Sequence, residues 1–345
     1  MKRLVAATAL LLSSVLTLSA FDINTAYRNG TNMGITIVWD SFTGVTYNVE
    51  GRTDLMSGSW ANETGHTNVA GTGSPIYENI DVSSYERRFY RLKTADGMPS
   101  ENAVGFVKCH VRPTNHLILV GMHFDAFDQT LMGVFSNDQL RAAASYTNAD
   151  TVFFYNTGSD TYEIYGLKSS DLQYHATTNW DGAAVNPALV AGDGFWLRGG
   201  QITTETNTVI IVGQVIDVLT QQIDIVQGLQ LRCYPFSADI PLDSTTFDAC
   251  GAQRQTSKTH PGDDISIWKP DVESYDVYRL NSNGVWNDFN GTAKKGTNFV
   301  GEGFWYNSKN TNTTPSFVWT ETNKYLGEIA YDIDSDGMGD CWEVL

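Results

Sequence analysis

A five-residue phrase of the pattern G-D/E-G-F-W occurs twice in the chain and sets its domain organisation. The chain reads GDGFW at residues 192–196 and GEGFW at residues 301–305. Upstream, Asp150 matches Asp263, 113 positions further on. The matched aromatic positions between these points are Tyr155 with Trp268, Tyr162 with Tyr275 and Tyr165 with Tyr278. An ordered series at nearly one offset indicates an internal duplication. Because there are only two copies and each is domain-sized, the pattern predicts two globular domains and not a solenoid.

The two copies have the periodicity of β-strands. YEIYGL at 162–167 and YDVYRL at 275–280 alternate apolar with polar residues, which is typical of half-buried strands. Helical signals are scarce, and residues 136–146 are the best candidate for a short helix. The predicted fold class is therefore mainly β, with tandem antiparallel β-sandwich-like domains and a C-terminal calcium-loop segment.

The segment before the repeats has short β-rich runs separated by turn residues. Its distinctive residues are Trp39, Tyr47, the stretch TDL…W at 53–60 and FYRL at 89–92. With these features, residues 30–95 resemble the fibronectin type III-like modules of secreted bacterial proteins. The resemblance implies an antiparallel sandwich that serves spacing or adhesion, without catalysis. Residues 95–105 are interpreted as the linker that follows.

The N-terminus has the layout of a secretory signal peptide. Lys2 and Arg3 precede an apolar run from Leu4 to Leu18, which is shorter than the ~20 residues that a membrane-spanning helix needs. We therefore expect an exported protein, secreted or held at the cell surface, with no transmembrane span in the mature chain. The 22 basic and 39 acidic residues give a net charge of −17, so nucleic acid is excluded as a partner.

Export would place the four cysteines in an oxidising compartment. Cys233 and Cys250 are close in sequence, and a bridge between them would stabilise the fold by roughly 3 kcal/mol. They are the predicted disulfide.

The C-terminal stretch DIDSDGMGDCWE matches the calcium-loop pattern D-x-D-x-D-G-x5-E. The predicted oxygen ligands are Asp332, Asp334, Asp336, the carbonyl of Met338, Asp340 and Glu343. With Gly339 and Trp342, the stretch resembles the calcium repeats of bacterial thrombospondin type 3-like tails. Since such repeats come in series, we expect the chain to continue past Leu345. The alternative is an acidic turn that merely attracts cations.

The repeated aromatics are the candidate binding residues. Successive side chains of a strand face opposite ways, so one aromatic of each Phe-Trp pair is the better candidate for exposure. Exposed aromatics offer a flat face to a sugar ring. The candidate carbohydrate-binding residues are Trp196, Trp305, Phe195, Phe304 and Tyr306. The commoner role of such large side chains is core packing.

No catalytic residues are assigned, since the sequence has neither a G-x-S-x-G elbow nor a phosphate loop. A weaker hypothesis is glycoside hydrolysis by carboxylates of the repeats; the candidates are Asp125, Asp128, Asp263 and Asp264. The recurrence of Asp150 at Asp263 favours a turn cap over catalysis.

The predicted protein is thus a secreted or cell-surface, non-enzymatic modular protein. Its role would be adhesion, polysaccharide binding or surface-layer structure, with polysaccharide or other surface proteins as partners and calcium as the bound ion. The alternative is the accessory region of a secreted polysaccharide-degrading enzyme. The predicted boundaries are a signal peptide at 1–20, the fibronectin-like sandwich at 21–98, the repeat copies at 103–201 and 207–322, and the calcium loop at 328–345.

Overall fold

The computed structural model of the chain is mainly β, and its strands pair antiparallel. It describes residues 21–30, 33–201, 204–288, 296–309 and 316–329. The strands are β1 (Ile23–Arg28), β2 (Gly34–Asp40), β3 (Thr46–Arg52), β4 (Ala61–Asn62), β5 (Val69–Ala70), β6 (Pro75–Asp81), β7 (Arg87–Thr94), β8 (Val104–Val111), β9 (Leu117–Gly121), β10 (Thr151–Asn156), β11 (Thr161–Lys168), β12 (Gln173–Ala176), β13 (Gly194–Arg198), β14 (Asn207–Gln214), β15 (Thr220–Ile225), β16 (Gly228–Arg232), β17 (Ile240–Pro241), β18 (Asp264–Lys269), β19 (Ser274–Leu280), β20 (Trp286–Asp288), β21 (Thr297–Asn298), β22 (Phe304–Ser308) and β23 (Phe317–Thr322).

The α-helices of the described residues are short: α1 (Leu131–Phe135), α2 (Phe247–Cys250) and α3 (Leu326–Ile329). The helix expected at 136–146 is therefore wrong, and α1 lies just before it. Thr130 caps α1 by accepting a 3.1 Å hydrogen bond from the Gly133 amide. Ser136, with φ 48° and ψ −171°, ends the helix.

The first module is an antiparallel β-sandwich. A three-stranded sheet of order β1-β2-β6 faces a sheet of order β14-β8-β7-β3-β4, with β5 paired to β3. Trp39 and Tyr47 are fully buried between the two sheets, with ring centroids 5.7 Å apart. These two residues therefore anchor the sandwich, as the sequence resemblance implies.

The second sheet of this module is shared with the repeats. β8 pairs with β7, and β14 pairs with β8 from Asn207↔Val111 to Gln214↔Val104. Phe106 and Ile210 face the core of the sandwich, whereas Val107 and Val209 face the core of the repeats. Both strands are thus buried on both faces, which explains the near-continuous apolar run of β14.

The shared sheet, of order β14-β8-β7-β3-β4, spans the boundaries predicted between the first module and the repeat copies. Residues 104 and 105 belong to β8, so the interpretation of residues 95–105 as a linker is wrong. Ser100 and Asn102 in this segment are buried. The Asn102 side chain accepts a 2.7 Å bond from the Ile23 amide and donates a 2.9 Å bond to the Ile23 carbonyl. The segment is therefore an ordered connection inside the sandwich.

The duplication appears as two sheets with equivalent strand order. The first repeat sheet has the order β12-β11-β10-β13-β9, and the second repeat sheet has the order β20-β19-β18-β22-β16. The strands that flank each sheet also correspond, since β8 pairs with β14 and β15 pairs with β23. By this correspondence β14 closes the first copy, although residues 207–214 were expected to begin the second.

The second copy also contacts the first module. Arg87 on β7 pairs through both terminal nitrogens with the carboxylate of Asp239, at 2.7 Å for Nη2 to Oδ2. Glu328 of α3, which follows the second copy, also contacts this module: Arg52 Nη1 donates to its Oε2 at 3.0 Å, and the Trp60 indole donates to its carbonyl at 2.9 Å. The first module is therefore joined to both copies.

Candidate functional site at the interface of the two repeat sheets

The first glycine of each repeated phrase occupies a turn that requires glycine. Gly192 has φ +91° and Gly301 has φ +93°, a conformation that L-residues with a Cβ atom rarely adopt. The turn directs the chain into β13 in the first copy and into β22 in the second.

The second glycine of each phrase leaves room for the backbone of the opposite copy. A Cβ atom on Gly194 would lie 2.8 Å from the backbone nitrogen of Arg232. A Cβ atom on Gly303 would lie 2.6 Å from the carbonyl oxygen of Val120. Val120 is on β9 and Arg232 on β16, so each repeat sheet brings an edge strand against the turn of the other.

Backbone hydrogen bonds across this contact are reciprocal. The Gly121 amide donates to the Gly301 carbonyl at 3.1 Å, and the Cys233 amide donates to the Gly192 carbonyl at 3.0 Å. Gly121 is one residue beyond Val120, and Cys233 is one beyond Arg232. The two copies are thus related by an approximate two-fold axis, as the subunits of a symmetric dimer are.

The two aromatics of each phrase face opposite sides of their sheet. Phe195 and Phe304 are 0% and 1% exposed and belong to the large core beneath the sheets. Trp196 and Trp305 are 4% and 9% exposed. They form a separate cluster with Leu119 and Leu231, between the two repeat sheets.

Each tryptophan contacts aromatic residues of the opposite copy. Trp196 lies 5.5 Å from Trp268 and 6.4 Å from Tyr275, between ring centroids. The equivalent contacts of the other indole are the rings of Tyr155 and Tyr162, at 4.8 Å and 6.4 Å. Matched residues of the sequence therefore make matched contacts in space.

The expected exposed platform is not present at the five candidate residues. The four aromatics of the repeated phrases are buried as described, and Tyr306 is 0% exposed. Tyr306 stacks on Phe247 at 4.6 Å and donates a 2.7 Å bond to Asp263. The alternation along the strand was predicted correctly. The face opposite the core is nevertheless covered, because the second copy packs on it.

Exposed aromatic surface lies instead at the edge of this interface. Tyr162 is 43% and Tyr275 40% exposed, and the Trp305 indole donates to the Tyr275 hydroxyl at 3.3 Å. Burial, followed by the neighbouring Tyr275 hydroxyl, raises the pKa of Tyr162. A hydrogen bond to Asp160 raises the pKa of Tyr155 to about 12. Tyr155 and Tyr162 are therefore protonated at neutral pH, and their hydroxyls can donate hydrogen bonds. Tyr162 and Tyr275 are matched positions of the duplication, and this recurrence is the sequence signal that could have identified them.

The buried carboxylates Asp150 and Asp263 are turn caps. Asp150 is fully buried and accepts from the amides of Arg141 and Gly200 at 3.1 and 2.9 Å. Asp263, also fully buried, accepts from the amide of Gln253 at 3.0 Å and from that of Lys309 at 2.6 Å. Burial raises the pKa of Asp263. Both carboxylates are thus occupied by backbone donors in equivalent places.

The predicted disulfide between Cys233 and Cys250 is wrong, since both thiols are free in the described part of the chain. Cys233 lies at the interface of the repeats, where its thiol is 3.2 Å from the Met122 carbonyl. Cys250 ends α2, with its sulfur 3.5 Å from the Thr320 carbonyl. The two side chains have different neighbours, which sequence proximity did not reveal.

The calcium ligands predicted between Asp332 and Glu343 lie outside the described residues, as does the signal peptide at 1–20. Within the described ranges, no group of three or more His, Cys, Asp or Glu side chains has the geometry of a metal site. Of the helices in those ranges, none is both long and apolar enough to cross a membrane.

No protein-family model matches the chain, and no curated protein matches it. Among solved structures, the chain is similar to the crystal structure of chicken CNTN1 FN1-FN3 domains, at 10% sequence identity and a TM-score of 0.19. That match covers 84% of this chain and 92% of the other. The two facing antiparallel sheets described above give the first module a β-sandwich fold.

Proposed function

We propose that the chain is an exported, non-enzymatic modular protein that acts as a binding scaffold outside the cell, with polysaccharide as its ligand. The proposal rests on two exposed tyrosines, Tyr162 and Tyr275, which the two repeat sheets contribute above the buried indoles. The N-terminal signal sequence supports export, and the calcium-loop pattern supports a bound calcium ion in the C-terminal segment.

The chemistry of the tyrosine pair suits a sugar. A phenol ring offers an apolar face to the C–H groups of a pyranose, and its hydroxyl bonds to sugar hydroxyls. A carboxylate borders these rings: Asp160 accepts from the hydroxyl of Tyr155, whose ring lies 5.4 Å from that of Tyr162. Such an acidic border repels polyanions. We therefore assign a neutral polysaccharide to this surface.

The packing of the modules supports a scaffold role. The pair Arg87–Asp239 joins the first module to the second copy, and the pair Arg52–Glu328 joins it to α3, which follows that copy. The shared sheet joins the first module to the first copy. Because the tyrosines stand on two sheets that are locked together, their spacing is fixed before a ligand arrives, and less conformational entropy is lost on binding.

The test is a tryptophan fluorescence titration of the mature chain with a panel of soluble neutral polysaccharides. Trp305 donates to Tyr275, so a bound sugar is expected to shift the emission saturably. The double variant Tyr162→Ala, Tyr275→Ala should lose the shift and remain folded. Tyr77→Ala is the matched control, because Tyr77 is 62% exposed on the first module. An absent response, or one that survives the double variant, would contradict polysaccharide binding at this surface.

A further inference from the structure

A cleft separates the first module from the first repeat. It has a volume of about 410 Å³, within the range of small-molecule sites, which favour boundaries between modules. One wall is β1, with Tyr27 and Arg28; the opposite wall includes Phe127 and Asp128. Neither this cleft nor its residues take part in the interface of the repeat sheets.

Arg28 is the basic residue of the cleft, and two of its guanidinium nitrogens donate no hydrogen bond to a described residue. The side chain is 14% exposed. Among the described residues, its buried Nε and Nη1 atoms have no hydrogen-bond partner. Asp138 lies 3.4 Å from Nη1 as an ion pair, and its own side chain is 39% exposed. An arginine stays charged in proteins, and its buried donors normally have partners. The guanidinium therefore keeps donors that its ion pair with Asp138 does not satisfy.

The remaining walls fit the body of a sugar. Val134, Ile210 and Val212 are 5%, 0% and 9% exposed and form an apolar part of the lining. At the cleft, Tyr27 and Phe127 expose 45% and 40% of their surface, which leaves two aromatic rings free for the face of a pyranose.

Ser136, which also lines the cleft, supports a ligand site independently. Its φ of 48° and ψ of −171° lie in a region that almost only glycine adopts. Backbone strain of this kind persists where the surrounding structure enforces it, and it concentrates at ligand sites. The Ser136 hydroxyl donates to Asp138, so the strained residue contacts the carboxylate that now pairs with Arg28.

We propose that this cleft binds a carboxylate-bearing sugar unit, a uronate. Its carboxylate binds the Arg28 guanidinium and displaces Asp138, its ring lies against Tyr27 and Phe127, and its hydroxyls bond to Asp128. A carboxylate can accept two parallel hydrogen bonds from the planar guanidinium. This site does not depend on the tyrosine pair of the repeats, so either proposal can fail without the other.

The test is calorimetric titration of the mature chain with D-glucuronate, with D-glucose as the uncharged probe. We expect glucuronate to bind at least about tenfold more tightly than glucose, since a hydrogen bond to a charged group is lost in the neutral sugar. Arg28→Met should lower glucuronate affinity by a similar factor or more. Asp138→Asn should raise it, because the competing carboxylate is removed while Arg28 stays in place.

Asp138→Asn is the control for misfolding, because it should raise glucuronate affinity whereas Arg28→Met should lower it. A loss in Arg28→Met together with a gain in Asp138→Asn supports the site. Absent glucuronate binding, equal binding of glucose and glucuronate, or affinities unchanged in both variants would each overturn it. Unaltered binding in the variant Tyr162→Ala, Tyr275→Ala would show that the cleft, and not the tyrosine pair, holds the uronate.

Discussion

Trp305 packs edge-on against Tyr155 of the opposite repeat sheet, with ring centroids 4.8 Å apart and planes at 82°. Trp196 and Trp268 form the equivalent contact at 5.5 Å and 79°. Tyr155 and Trp268 are themselves matched positions of the duplication. The repeated phrase therefore supplies each sheet with the tryptophan that the other sheet buries, and duplication of one unit generates an interface with two-fold symmetry.

Truncation of either interface tryptophan should destabilise the whole chain. Trp196→Ala and Trp305→Ala each remove a large buried side chain and leave a cavity, so we expect a loss of about 3–5 kcal/mol in the free energy of unfolding. Denaturant unfolding followed by circular dichroism measures it. Tyr77→Ala, at an exposed tyrosine, should cost far less. Equal stability of the tryptophan and Tyr77 variants would mean that the tryptophans are not buried.

The second glycine of each phrase should tolerate no side chain. Gly194→Ala and Gly303→Ala place a methyl group against the backbone of the opposite copy and should each cost about 1–3 kcal/mol. Gly158→Ala is the control, because its Cβ atom would meet only an Asn156 side-chain oxygen at 3.3 Å. Thermal unfolding midpoints compare the three. A Gly303→Ala midpoint equal to that of the control would contradict the close approach.

Stability should fall with acidity through His123. Burial lowers its pKa from 6.5 to about 4, so the folded protein takes up the proton less readily than the unfolded chain does. The contribution is fully present above pH 6.5 and is lost as the pH falls towards 4, by up to about 3 kcal/mol.

His123→Gln should remove this pH dependence. The measurement is the difference in unfolding free energy between the natural chain and the variant at several pH values between 7 and 4. Burial raises the pKa of Asp193 and of Glu302, which gives these groups the opposite trend. Both chains carry them, so their effect cancels in the difference. A difference that is constant with pH would show that His123 is not held neutral.

Calcium should protect the C-terminal segment from proteolysis. The carboxylates predicted as ligands repel one another without a cation, and coordination would order residues 330–345. Limited digestion with calcium and with chelator, followed by mass spectrometry, measures the protection. Asp336→Ala should abolish it. Equal cleavage rates in calcium and chelator would refute the loop.

Much of the architecture could be predicted from the sequence because it depends on local pattern. The alternation in β11 and β19, the constant offset of Asp150 and Asp263, and the turn glycines all reflect short-range constraints on the backbone. The turn-cap interpretation of the two aspartates agrees with the backbone donors that surround them.

The structural features that the sequence did not predict depend on which distant surfaces of the chain pack together. The apolar run of β14 indicates burial on both faces but not the identity of its neighbours, β8 and the two cores. Likewise, the opposite orientation of Phe195 and Trp196 followed from strand geometry. Trp196 is covered by residues far away in the sequence, and strand periodicity does not indicate which residues these are.

A double-mutant cycle between Trp305 and Tyr155 measures whether the repeated phrases join the two repeat sheets. Trp305→Leu, Tyr155→Leu and the double variant are compared by denaturant unfolding, with Trp305 and the distant Tyr77 as the control pair. We predict a coupling of about 0.5–1.5 kcal/mol for the aromatic pair and additivity for the control. Additive effects of Trp305 and Tyr155 would contradict the interface.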